Sequence, residues 1–284
     1  MSSSLECSVA SLEAAEPLAG TATDSVDRWI LLEVTDPWAP EALDTEALSE
    51  AVRSRLAQWL QAPRSRLQLI RRPGRAGKRR RLMVVSSAGN RSEAVMLELD
   101  RYDDLLDVDV AALPAQAAEP FWLVCVHGRR DRCCASHGGA VFRAIQACGA
   151  EVWQTSHLGG HRFAACVLSL PDGFMYGRVR AENAPDLVAA HANGKLGDLD
   201  LLRGRCGYDK PTQASEIILR KRLGLVDLAD VQWLGTSLEG EATWGVRFRA
   251  GGEERSVRVR REQTDLMRPP SCGAEPEPVV QLVE

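Results

Sequence analysis

The sequence predicts an α/β fold in which one β-α-β-β-β order occurs twice and is followed by a small antiparallel sheet. Each half opens on an apolar strand with a tryptophan near its start, at residues 28–34 and 121–126, and each strand is followed by a segment with helical character. The 284-residue length exceeds that of a typical single domain and accommodates two similar-sized units with additions.

In the first half, Arg28-Trp29-Ile30-Leu31-Leu32-Glu33-Val34 is β-rich and runs into the turn Asp36-Pro37-Trp38. Leu48, Val52, Leu56 and Leu60 recur every four residues, the spacing of one helix face, and predict a helix over about 41–60. Strands are expected at 67–70, 82–85 and 94–99, with a short helix or turn over 101–106. Between the first two of these strands, Arg71, Arg72, Arg75, Lys78, Arg79, Arg80 and Arg81 form a basic run. It reads as a solvated hairpin loop, because neither a nucleic-acid fold motif nor stacking aromatics accompany it.

The second half repeats that order. Phe121-Trp122-Leu123-Val124-Cys125-Val126 is the strand, with Trp122 matched to Trp29, and residues 138–147 supply the helix. Glu151-Val152-Trp153 opens the next strand, and His157-Leu158-Gly159-Gly160-His161 takes the place of the basic loop. A strand over 165–170, the turn Pro171-Asp172-Gly173 and a strand over 174–179 complete the unit. Helices are expected over 184–193 and 214–223, and residues 231–234, 243–248 and 256–259 read as a small antiparallel sheet. The expected organisation is a disordered amino terminus (1–24), a first half (25–117), a second half (118–224), a β extension (225–262) and a disordered, Pro- and Glu-rich tail (263–284).

The net charge of −4 gives no general drive toward nucleic acid or membrane. No apolar run reaches bilayer length, and residues 1–23 lack the basic and apolar regions of a secretion signal, so a soluble cytoplasmic protein is expected. In a reducing compartment, eight cysteines argue for metal ligation or thiol chemistry before structural disulfides.

Four of the five histidines and four of the eight cysteines fall between Cys125 and His161. Such crowding favours a site over isolated buried thiols and hydrogen-bonding imidazoles. One placement uses Cys125, either Cys133 or Cys134, His157 and His161, with the paired glycines letting a non-helical loop aim both rings at one point. Another uses Cys125-Val126-His127 and Cys134-Ala135-Ser136-His137, which mimic the C-x-H and C-x-x-H pairs of Rieske proteins. Two sulfurs and two nitrogens suit Zn(II) and a [2Fe-2S] cluster alike. Cys7, Cys148, Cys166, Cys206 and Cys272 lack ligand-like spacing, and Cys272 is expected to be unligated.

The combined pattern is Cys-Val-His-Gly-Arg-Arg-Asp-Arg-Cys-Cys over 125–134, Ser-His-Leu-Gly-Gly-His-Arg-Phe-Ala over 156–164, Leu-Pro-Asp-Gly over 170–173 and Tyr-Gly-Arg over 176–178. It resembles the sucrase/ferredoxin-like family, closely over about 121–179 and weakly at Asp36-Pro37-Trp38 and Leu202-Arg203-Gly204-Arg205. The resemblance implies a thioredoxin-like ferredoxin core holding a [2Fe-2S] cluster on Cys125, Cys134, His157 and His161, with Cys133 as the alternative ligand. The first half is then a cluster-free copy.

The function expected from the resemblance is soluble electron transfer to redox partner proteins, with the imidazole ligands raising the potential and coupling electron to proton transfer. Arg129, Arg130, Asp131 and Arg162 border the site and are expected to order its loops by ion pairing, while His127 and His137 are candidates for supporting roles. Two alternatives are a thiol-disulfide oxidoreductase using Cys133 and Cys134, which lacks a C-x-x-C motif, and a structural zinc module. No residue pattern supports glycoside hydrolysis.

Overall fold

The computed structural model describes residues 6–74, 79–87 and 93–284. In chain order, the first half comprises α1 (Cys7–Glu13), β1 (Arg28–Glu33), α2 (Glu50–Trp59), β2 (Ser65–Arg71), β3 (Arg80–Ser86), β4 (Glu93–Leu99) and the short β5 (Gln116–Ala117). The second comprises β6 (Phe121–Cys125), α3 (Arg132–Ala147), β7 (Val152–Thr155), β8 (Val167–Leu170), β9 (Phe174–Tyr176), α4 (Ala184–Ala192), β10 (Leu202–Arg205) and α5 (Lys210–Leu223). Strands β11 (Val231–Gly240), β12 (Thr243–Ala250), β13 (Glu253–Arg268) and β14 (Glu277–Val283) follow.

Strands β1 to β10 form one sheet in the order β10-β9-β8-β6-β7-β2-β1-β3-β4-β5. Each half places its fourth, third, first and second strands side by side, with the first two parallel and the others antiparallel. This is a thioredoxin-like order, and it occurs twice. The halves join where the edge strands β2 and β7 pair antiparallel, at Ile70↔Thr155 and Arg71↔Gln154. Beside them Leu69 N donates to Ser156 Oγ at 3.0 Å and Ser156 N to the Leu69 carbonyl at 2.8 Å. Pairing two edges removes two unsatisfied strand faces at once.

The core divides by face. Ile30 and Leu32 pack with Val52 and Leu56 of α2, while Trp122 and Val124 pack with Val141, Phe142 and Ile145 of α3. Trp29 and Leu31 instead share a cluster with Leu123 and Cys125. Trp29 therefore does not correspond to Trp122. Alternate strand residues face opposite ways, so the helix-facing counterpart of Trp122 is Ile30.

Three boundaries differ from the sequence expectation. Helix α2 begins at Glu50, because Ser49 caps it by accepting from Val52 N at 3.4 Å, and buried Leu48 precedes it. Helix α3 begins at Arg132, before Gly138 and Gly139, so both vicinal cysteines stand in its first turn. The segments expected to be disordered carry structure: α1 lies within 1–24, and β14 with the end of β13 lies within 263–284. What holds them is buried charge. The Glu16 carboxylate, 1 % exposed, accepts from Arg162 Nε (2.8 Å), from Ser11 Oγ (2.8 Å) and from Arg268 Nε and Nη2 (both 2.9 Å).

The second sheet, β11-β12-β13-β14, has one more strand than expected. It packs Val246, Phe248, Val257 and Val259 against Leu219 of α5. Arg75 and Lys78 of the basic run lie outside the described residues. Arg72 pairs with Glu151 at 2.7 Å, Arg79 with Asp100 at 2.9 Å, and Arg71 lies over the Trp38 ring at 4.4 Å.

Burial opposes ionisation of Glu16, but hydrogen bonds from Arg268 and the charge and hydrogen bond of Arg162 outweigh it and hold the carboxyl below the usual range. Its contribution to stability is complete above the unfolded value near ~4.3 and is lost as pH falls through the lower folded value. Glu16→Gln is expected to cost on the order of 3 kcal/mol at neutral pH, the scale for breaking a buried ion pair. Chemical denaturation of both proteins checks this, and their difference should shrink in acid.

Candidate metal centre

Strand β6 ends at Cys125, which is 1 % exposed and whose N–H donates to the Cys166 carbonyl at 3.1 Å. Helix α3 starts close above it. Asp131 is the cap, with Oδ1 accepting from Cys133 N at 2.9 Å, so Cys133 and Cys134 occupy the electropositive first turn. A Cβ at Gly138 would stand 2.1 Å from the Cys125 carbonyl oxygen, so only glycine permits this approach.

The loop between the histidines turns through Gly159 (φ 99°) and Gly160 (φ 69°), left-handed backbone that favours glycine. Beneath it lies Arg203, 1 % exposed. Its guanidinium donates to the Gly159 carbonyl at 2.9 Å and to the Thr21 carbonyl, and lies 5.0 Å from the Phe163 ring centre. A Cβ at Gly160 would meet Arg203 Nη2 at 2.2 Å. From the first half, Arg66 Nη2 donates to the His157 carbonyl at 3.0 Å.

These elements bring the donor atoms of Cys125, Cys134 and His157 within 4.8 Å of one another. Cys134 Sγ lies 3.9 Å from His157 Nδ1, and the His157 and His161 rings lie 5.1 Å apart at 35°. His161 is beside this group rather than within it. Its Nε2–H donates to the Pro270 carbonyl at 2.9 Å and lies 3.6 Å from Asp131 Oδ2. With that proton on Nε2, Nδ1 carries the lone pair, and it is buried with no partner among the described residues. The Cys134 thiol directed at Cys125, together with the hydrogen bond and charge of His157, holds the Cys125 thiol well below its ordinary value despite burial, and the same pairing pushes Cys134 upward.

Cys133 points elsewhere. Its sulfur is 3.6 Å from that of Cys7 and 3.3 Å from that of Cys272, so the vicinal pair serves two different pockets. Cys272, expected to be unligated in a disordered tail, is instead ordered against Cys133 and Cys7. His127 is buried edge-on to Trp38 (5.8 Å, 81°), and His137 lies at the surface beside Ser8 and Glu6. Arg130 pairs with Glu41 at 2.8 Å, Arg129 donates to the Trp38 carbonyl at 3.4 Å, and Arg162 holds Glu16. Cys166, whose thiol burial pushes up to about 11, donates to the Gly160 carbonyl at 3.2 Å. His157 lines a cleft of about 410 Å³ with Pro40, Leu43, Arg66 and His127.

The donor chemistry fits a sulfur- and nitrogen-ligated iron group. Two buried thiols adjoin two imidazoles, one with an orphaned lone pair and the other turned toward the thiols. The profile of the sucrase/ferredoxin-like family matches residues 18–204, more than half of the chain. The chain belongs to the sucrase/ferredoxin-like family. The match spans the first half from residue 18 and the second as far as residue 204, including Arg203.

Among solved structures, the thioredoxin-like [2Fe-2S] ferredoxin from Aquifex aeolicus is 23% identical, covering 30% of this chain and 91% of that one, with a TM-score of 0.27. Two of its single cysteine-to-serine variants match at 22% and 23% identity, each covering 30% of this chain and 97% of that one, with TM-scores of 0.26 and 0.27. A comparison with curated proteins gave no match.

Gly160→Ala sets a methyl group against Arg203 in left-handed backbone, so it should displace the His157–His161 loop. The expected outcome is destabilisation of about 1 kcal/mol or more, read from chemical denaturation. Gly149→Ala, also left-handed but with nothing within 4 Å of the added carbon, should cost less in the same measurement.

Proposed function

We propose that this chain is an electron-transfer protein carrying a [2Fe-2S] cluster on Cys125, Cys134, His157 and His161. The observation that carries the reading is the convergence of Cys125, Cys134 and His157 beside the orphaned Nδ1 of His161. When bound, the cluster supplies one-electron transfer. The chain's own part is to hold the four ligands, keep their surroundings dry and set the charge around them.

Each residue has a distinct task in this reading. Cys125 and Cys134 bring thiolates to the end of β6 and the first turn of α3, where the helix dipole favours negative charge. His157 and His161 bring neutral imidazoles, which leave the ligand set less negative than four thiolates would. Two-histidine ligation in Rieske centres goes with potentials of roughly −150 to +300 mV, against about −400 mV for plant-type ferredoxins. The Pro270 carbonyl and Asp131 fix the His161 tautomer so that Nδ1 is left with its lone pair free. The cleft reaching His157 provides the approach for a redox partner protein. The eight cysteines are all unpaired, which suits the reducing cytoplasmic setting proposed with this function. Among the described residues, no helix is long and apolar enough to cross a membrane.

Anaerobically purified protein should be coloured, contain two iron atoms and two sulfides per chain, and give an electron paramagnetic resonance signal on reduction. Cys125→Ala, Cys134→Ala, His157→Ala and His161→Ala should each abolish the native signal, whereas Cys148→Ala should not. His157→Cys adds a negative ligand and should lower the potential where the cluster still assembles. Iron-free protein, or full cluster retention in a combined His157→Ala and His161→Ala variant, would overturn the reading.

A further inference from the structure

We infer that Cys7, Cys133 and Cys272, together with Asp131, form a second, mononuclear metal site that binds Zn(II). The site is separate from the one built on Cys125, Cys134, His157 and His161, and it stands whatever those four residues hold. Its donors come from three remote parts of the chain: the first residue of α1, the first turn of α3 and the loop between β13 and β14.

The geometry argues for one metal ion rather than a cluster or a disulfide. The three sulfurs are 3.6 Å (Cys7 to Cys133), 3.3 Å (Cys133 to Cys272) and 3.6 Å (Cys272 to Cys7) apart. An ion at the centre of a tetrahedron with Zn–S bonds of about 2.3 Å would separate its sulfurs by about 3.8 Å. The nearest carboxylate oxygens of Asp131 lie 3.8 Å from the Cys7 sulfur and 3.4 Å from that of Cys272. With a Zn–O bond near 2.1 Å the expected sulfur-to-oxygen edge is about 3.6 Å. These edges of 3.3 to 3.8 Å lie close to tetrahedral spacing, and all four donor atoms lie within 4.8 Å of one another. Disulfide pairing does not use such a set: three clustered sulfurs leave one thiol over after any pairing, and none of the three separations is near a disulfide bond length.

The chemistry agrees. Cys7 and Cys133 are fully buried and Cys272 is partly buried, and their small apolar cluster includes only Ala164 as a further buried residue. A carboxylate among buried thiols is a poor hydrophobic filling and a good ligand set. Asp131 is held in place from both sides: Oδ1 accepts from Cys133 N at 2.9 Å and Oδ2 from Cys272 N at 3.0 Å, with lone pairs remaining on each oxygen. Ser8 Oγ donates to Cys133 Sγ at 3.3 Å, the outer-shell bond a metal-bound thiolate takes. Three sulfurs and one oxygen close the coordination sphere, so the site is structural. It fastens α1 and the Cys272 loop to α3, and it holds the Pro270 carbonyl, two residues before Cys272, against His161.

The full chain, expressed with iron and zinc both available and purified anaerobically, should contain one zinc per chain. That zinc should persist in the Cys125→Ser/Cys134→Ser double variant and in Cys148→Ser, and be lost from Cys7→Ser/Cys272→Ser. Titration of the metal-stripped wild-type chain with Co(II) should give the near-ultraviolet thiolate charge-transfer bands and intense red absorption of a tetrahedral thiolate site. Those bands should survive in the Cys125→Ser/Cys134→Ser variant. This measurement tests the site even where Cys7→Ser/Cys272→Ser fails to fold. Zinc that follows Cys125 and Cys134, a wild-type chain that takes up neither zinc nor Co(II), or a disulfide among Cys7, Cys133 and Cys272 in place of metal would each overturn the inference.

Discussion

The constraint on which the site depends is the close approach of α3 to the end of β6. Gly138 allows it, since any side chain there would strike the Cys125 carbonyl. That approach sets the first turn of α3 over the last residue of the strand, and Asp131 fixes where the turn begins. Successive helical residues are rotated by about 100°, so adjacent cysteines cannot face one point. Cys134 turns toward Cys125 and His157, while Cys133 turns toward Cys7 and Cys272. One glycine contact and one cap thus direct two thiols into two pockets.

The duplicated sheet supplies the frame. Parallel first and second strands leave an edge in each half, and joining β2 to β7 places the loop that follows β7 against the first half. Arg66 on β2 can then hold the His157 carbonyl, and Trp38 can pack on His127. The first half carries none of the four proposed ligands. Its contribution is a wall with one polar anchor, Arg66, and one aromatic contact, Trp38, which orient the loop and the imidazole beside the proposed ligands.

Much of this was legible in the sequence, for identifiable reasons. Strands such as Trp29–Leu32 and Leu123–Cys125 are continuous buried runs bounded by turn residues, so composition marks them. The His157–His161 loop was visible because glycine pairs and imidazoles at short spacing are rare together. The start of α3 was not, because Arg132 to His137 show no apolar periodicity and the sequence pattern places the helix from Gly138 onward, whereas Asp131 caps it and it begins at Arg132. Cys7 and Cys272 gave no signal, since their contacts with Cys133 span 126 and 139 residues and leave no local spacing to detect. Arg203 and Glu16 escaped for a different reason. Charged side chains read as surface, and only the fold shows that both are buried with their partners.

The chain ends are part of the site because charge makes them so. Glu16 cannot be buried without Arg162 and Arg268, and Arg162 directly follows His161 while Arg268 ends β13 two residues before Pro270. Release of the end of β13 would take Arg268 from the Glu16 carboxylate, leaving Arg162 as its one guanidinium partner, and withdraw the carbonyl that orients His161. Release of the segment after α1 would take the Glu16 carboxylate from both Arg162 and Arg268, leaving Arg268 with Glu277. Neither end can leave alone at low cost. A network of this kind behaves as a unit, so the orientation of His161, the seating of α1 and the attachment of β13 are expected to form or fail together, and occupancy of the neighbouring ligand sets is linked to folding of segments far away in sequence.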